Sequence, residues 1–118
     1  MIRKGTSPIQ FAFTRKGGAI IRARVDIWRP TATEWELAAQ VPMDKVVEPS
    51  ESVSERLKKG TYLCVFQCMV EESLNGRYEF VMEVAGKATF NDSGDVNTTP
   101  NPADRKVYDD QFILEVTK

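Results

Sequence analysis

Gly60-Thr-Tyr-Leu-Cys-Val-Phe-Gln-Cys-Met-Val70 and, after a polar break ending in Asn75-Gly76, Arg77-Tyr-Glu-Phe-Val-Met-Glu-Val84 decide the fold of this chain. Apolar residues recur at every second position in both segments, the period of an extended strand whose side chains alternate between two faces. An Asn-Gly pair between two such runs signals a tight turn, so the two segments read as the central hairpin of an all-β domain. In the second segment Tyr78, Phe80, Met82 and Val84 face one way while Arg77, Glu79 and Glu83 face the other, as in a strand with one wet side. The first segment differs. Tyr62, Cys64, Phe66, Cys68 and Val70 form one face, and the opposite face carries Leu63, Val65 and Met69, interrupted only by Gln67. A strand apolar on both sides is expected to be covered on both sides. Unless another segment of the chain covers Leu63, Val65 and Met69, they form a patch for a partner protein or for a second copy.

The same period extends outward. Ile9, Phe11 and Phe13 alternate before the Lys16-Gly17-Gly18 turn, and Ile21, Ala23, Val25 and Ile27 alternate with Arg22, Arg24, Asp26 and Trp28 before Pro30. Trp35, Leu37, Ala39 and Val41 share one side of a further strand, which places Trp35 in the core. Weaker strands are expected around Val53–Leu57 and Ala88–Phe90, and Phe112, Leu114 and Val116 mark a last one. The stretch 91–110 reads as a long loop, with Thr98-Thr99-Pro100-Asn101-Pro102 stiffening its middle. Seven or eight short strands without an amphipathic helix predict an antiparallel β-sandwich of immunoglobulin-like or jelly-roll type within one domain, 1–118; a small OB-like barrel is the alternative.

Composition narrows the chemistry. Sixteen basic against 17 acidic residues in 118 leave a net charge of −1, which offers no field for a polyanion. The longest apolar run, Tyr62–Phe66, is far shorter than the roughly 20 residues of a membrane-spanning helix, and no apolar leader follows the basic start Met1–Lys4. The cytoplasm, or release without a signal peptide, is expected. Histidine is absent, which removes the usual general base of serine and cysteine hydrolases and most zinc sites. Cys64 and Cys68, four residues apart on one strand, would have Cα atoms about 13 Å apart, too far for a bridge, so they read as free core thiols.

Three ligand chemistries are worth placing on residues. Asn91-Asp92-Ser93-Gly94-Asp95-Val96-Asn97 gathers oxygen donors around a glycine, which points to calcium on Asp92, Asp95 and Asn97, although these are also ordinary turn formers. Trp28 and Tyr108 offer aromatic faces for a sugar ring. Arg22 and Arg24 beside Trp28 have the cation-plus-stacking pattern of single-strand nucleic-acid binders, but Asp26 interrupts the stripe and nucleic acid is not expected. The reading the sequence supports is a non-enzymatic structural or adaptor module acting through protein–protein contacts, self-associating through Leu63, Val65 and Met69. Its alternative is a sandwich binding carbohydrate or calcium along 91–110. No cofactor is expected beyond that possible calcium.

Overall fold

Alternation at period two runs along much of the chain, and the backbone follows it into nine strands among the described residues. The computed structural model describes residues 1–17, 19–73, 76–96 and 106–117. In chain order the strands are β1 (Ile2–Gly5), β2 (Ile9–Lys16), β3 (Ala19–Pro30), β4 (Trp35–Met43), β5 (Ser50–Glu55), β6 (Gly60–Ser73), β7 (Arg77–Val84), β8 (Lys87–Asp95) and β9 (Lys106–Val116). One sheet has the order β1-β9-β6-β3-β4 and the other β5-β2-β7-β8. Neighbours pair antiparallel except β1, which runs parallel to β9. Two separate sheets with free edges make the expected β-sandwich rather than a closed OB-like barrel.

Between the sheets lies the core that the alternation marked. Phe11 and Phe13 of β2, Val25 and Ile27 of β3, Phe66 of β6 and Phe80 of β7 are fully buried. Phe13 stacks on Phe80 at 5.5 Å and Phe66 on Phe90 at 5.3 Å, while Tyr108 meets Phe66 edge-on at 5.8 Å. Such pairs contribute about 0.5–1.5 kcal/mol each beyond their burial. Cys64 and Cys68 are free and buried, as expected. One end of the core is polar. The Arg15 guanidinium meets Glu51 at 2.7 Å with both side chains 3% exposed, donates to the carbonyls of Ile21 and Met43 at 2.8 Å, and lies 4.9 Å from the Phe13 ring centre. It joins β2 to β3, β4 and β5.

Several expectations are corrected. β6 and β7 are not a hairpin, because they belong to different sheets. Their inward faces meet through side chains, Phe66 lying 6.0 Å from Phe80, and alternation alone does not distinguish that from backbone pairing. The stretch 91–110 is not all loop: β8 continues through Asp95 and β9 begins at Lys106. Its middle, with the Thr98–Pro102 segment, lies outside the described residues. β1, too short to show a period, went unread.

Trp35 and Leu37 are not core residues; they are 51% and 41% exposed. The cause is a bulge. Ala39 opposes Ile27 but Leu37 opposes Trp28, so Ala38 is an extra residue. One inserted residue reverses which side every following side chain takes. Val41 and Met43 remain buried, whereas Leu37 and Trp35 pass to the outer face, opposite Trp28 and Pro30.

Candidate functional site

Cross-strand pairing turns the outer face of the five-stranded sheet into rows. Ile2 of β1 opposes Ile113 of β9, Ile113 opposes Leu63 of β6, Leu63 opposes Trp28 of β3, and Trp28 opposes Leu37 of β4. Directly paired residues share a face, so five apolar side chains cross the full width of the sheet in one row. Trp35 adjoins its β4 end. Ile2 is 52% exposed, and Ile113, Leu63 and Trp28 are half-buried by one another. Among the described residues no third layer lies over this row.

The next rows are largely polar. Gln111, Val65, Asp26 and Gln40 form one, and Asp109, Gln67 and Arg24 another. Beyond them Val107, Met69 and Arg22 close the face, and a shallow open depression of about 380 Å³ lies among these last residues. Charges here are largely neutralised in place. Arg24 meets Asp26 at 3.1 Å and donates to Gln67 at 2.9 Å; Arg22 meets Glu71 at 3.4 Å and Lys4 meets Glu115 at 3.6 Å. The amide of Gln40 donates to Asp26 at 3.1 Å. Arg22 and Arg24 do share a face with Trp28, but each has a carboxylate beside it, which removes the positive stripe that a nucleic-acid strand requires.

The opposite sheet supplies a contrast. Its outer face pairs Thr14 with Ser50, Ala12 with Ser52, Gln10 with Ser54 and Glu79 with Ser93. These are small or hydrated side chains. Among the described residues, of the two outer faces only that of the five-stranded sheet carries a continuous apolar row.

The sequence-derived candidates distribute unevenly over this frame. Leu63, Val65 and Met69 lie together on the outer face of β6, the middle strand of its sheet, and all three are half-buried. Trp28 and Tyr108 are not brought together: Trp28 is on the outer face, while Tyr108 points inward against Phe66, Phe80 and Phe90. Burial, then the nearby Asp110 and Asp92, hold the Tyr108 hydroxyl above its ordinary pKa.

Asp92 and Asp95 do not converge either. Three residues apart on a strand, they leave on opposite faces. Asp92 turns inward to accept a 2.8 Å hydrogen bond from the Tyr78 hydroxyl, and Asp95 turns outward toward Arg77 at 3.8 Å. Burial and that bond to Asp92 push Tyr78 up to about 12. Asn97 lies outside the described residues. Gly94 serves packing, since a Cβ there would fall 3.0 Å from the Tyr78 ring. Burial likewise pushes Cys64 and Cys68 up to about 12, leaving inert thiols.

Sequence reasoning found the centre of the face and missed its ends. Ile113 and Trp28 were legible as outward-facing positions. Ile2 had no periodic signal, and Leu37 and Trp35 were hidden by the Ala38 bulge. No family model, no curated protein and no solved structure matches the chain. Its functional reading therefore rests on the sandwich and on this asymmetry between its two outer faces.

Proposed function

We propose that this protein is a non-enzymatic structural or adaptor module that works through protein–protein contacts and self-associates through the outer face of its five-stranded sheet. The observation that carries the reading is the apolar row Ile2–Ile113–Leu63–Trp28–Leu37, which spans the sheet uncovered by any described residue. Aromatic anchors amid neutralised charge suit a protein interface, whose centre is depleted in free charge and enriched in tryptophan. Light scattering on a sizing column tests it. The expected result is a discrete oligomer that Val65→Glu or Met69→Glu converts to a folded monomer, because each would put a charge into the buried centre of the contact, at position 65 directly opposite Asp26. A wild-type chain that is monomeric at all concentrations, or an oligomer indifferent to both substitutions, overturns the reading.

One observation favours a second reading. Trp28 and Trp35 are diagonal neighbours across β3 and β4 on the exposed face, an arrangement on which a sugar ring stacks. Glycan-array binding by a monomer, lost in Trp35→Ala, would support carbohydrate recognition in place of assembly; an empty array would remove it.

A further inference from the structure

We infer that the occupant of this face is a second copy of the same chain, docked face to face about a two-fold axis that runs along β6 through Leu63. This rests on the interface proposed above and specifies its geometry.

The sheet edges point to the face. Open strand edges are the usual site of unplanned self-pairing, and here each is short or interrupted. β1 has four residues and β5 six. β4 carries the Ala38 bulge and Pro42, which lacks an N–H. On β8, Thr89 is an extra residue opposite the Met82–Glu83 step of β7, and Arg3 crosses from β1 to donate to the Ala88 carbonyl at 2.8 Å and the Thr89 hydroxyl at 2.9 Å. Edges so blunted leave the broad face as the surface on which copies can meet.

The face is also self-complementary. A two-fold along β6 keeps each row on its own counterpart and exchanges columns, bringing β9 over the partner's β3 and β1 over its β4. The apolar row then lies on itself: Ile113 covers Trp28 of the other copy, Ile2 covers Leu37, and Leu63 sits at the axis. In the row of Asp109, Gln67 and Arg24, each Asp109 meets the Arg24 of the other copy. Asp109 is exposed and has no ion pair among the described residues, so the contact gives it one. Gln111 likewise reaches Asp26. A two-fold running across the strands midway between Leu63 and Met69 would place Leu63 on Met69 and leave the ends of the apolar row, Ile2 and Leu37, without partners; one placed on the apolar row, near the Gly60 end of β6, would leave the rows of Arg24 and Met69 beyond the edge of the other copy.

Size agrees. β9, β6 and β3 at about 4.8 Å spacing over the eight residue steps from Thr61 to Met69 at about 3.3 Å, with β4 beside most of that length and β1 beside only its Leu63 end, span roughly 500 Å² in projection. Side-chain relief brings that close to the roughly 800 Å² per partner of a standard interface. Two twisted sheets also stack well when their strands lie within about 30° of each other, as this axis requires.

A charge-swap cycle on the full chain tests the pairing, read by sedimentation equilibrium with circular dichroism as a check on folding. Asp109→Arg and Arg24→Asp should each weaken the dimer about tenfold or more, and the double variant should regain most of the loss, because the swapped charges meet again. As an independent measurement that leaves both charges in place, Leu63→Cys should cross-link to itself through a short bismaleimide, with wild type and its buried Cys64 and Cys68 as control. A dimer that the double variant does not rescue, or that links Cys at 63 only to a Cys placed at 69, overturns this two-fold while the outer-face interface stands. An open-ended series of masses overturns the closed dimer. A monomeric wild type overturns both.

Discussion

Glu51→Gln should be the most damaging conservative substitution in this protein. It keeps the size and one carbonyl-type oxygen of the side chain but removes the charge that faces Arg15 at 2.7 Å, where each side chain is only 3% exposed. The guanidinium would remain buried, held by the carbonyls of Ile21, Met43 and Glu48 and the Phe13 ring, with no counter-ion. Removing one partner of a buried pair costs roughly 3–5 kcal/mol, about a fifth or more of the 5–15 kcal/mol that typically holds a domain together. At about 4 °C per kcal/mol for a chain of this size, the melting temperature should fall by about 12–20 °C. Urea unfolding followed by far-ultraviolet circular dichroism measures the difference directly. Arg15→Met with Glu51→Leu should recover little of this loss. The unpaired charge is gone, yet three carbonyls and the Lys45 amide, which now donates to Glu51 at 3.1 Å, lose partners worth about 1 kcal/mol each. A loss below about 1 kcal/mol in Glu51→Gln would refute the argument, since the carbonyl cage would then suffice without the carboxylate.

Other outcomes follow from the same geometry. Gly94→Ala should cost about 1–2 kcal/mol in urea unfolding, because its methyl would fall 3.0 Å from the Tyr78 ring; Tyr78→Phe removes the hydroxyl contact at 3.1 Å but also the bond to Asp92 and leaves the ring carbon at 3.0 Å, so the double variant should be no more stable than Gly94→Ala. Cys64 and Cys68 should not react with Ellman's reagent in the folded chain at pH 8 and should both react in urea; fast labelling of the native protein would contradict their burial. Their folded values near 12 against an ordinary 9.0 also set a pH dependence. Above about pH 9 the unfolded chain releases thiol protons that the folded chain keeps. Stability should therefore hold below pH 9 and fall as pH rises toward 12, by at most about 1.4 kcal/mol per pH unit for each thiol; a flat profile would disprove it.

Side-chain direction within a strand is a local property, and it was legible. Phe11, Phe13, Tyr62, Phe66, Phe80 and Leu114 all face the core, because a period of two assigns them before any pairing is known. Partnership between strands is not local. β6 and β7 were joined by a turn signal into a hairpin, yet each was already satisfied elsewhere, β6 between β9 and β3 and β7 between β2 and β8. Short polar residues misled in the same way. Asn91 to Asp95 looked like loop chemistry, but on an edge strand serine and asparagine can face water and Gly94 can make room for an aromatic ring, so the composition of a turn fits a strand.

The candidate face combines both kinds of information, which is why only its centre could be read. Leu63 and Val65 announce themselves as a second apolar side to a buried strand. Whether they are isolated or part of a continuous surface depends on which residues stand beside them, and that is set by registers joining Ile2 to Ile113 and Trp28 to Leu63, positions far apart in sequence. Leu37 depends on one residue more. Without the extra Ala38, β4 would present it and Trp35 inward with Val41 and Met43, as strict alternation predicts. With it they join Trp28 outside, at an exposure that a lone chain gains nothing from. A bulge that moves two large apolar side chains from a place in the core to the surface is costly for a monomer. In the proposed dimer Ile2 of the second copy would cover Leu37, which would offset part of that cost.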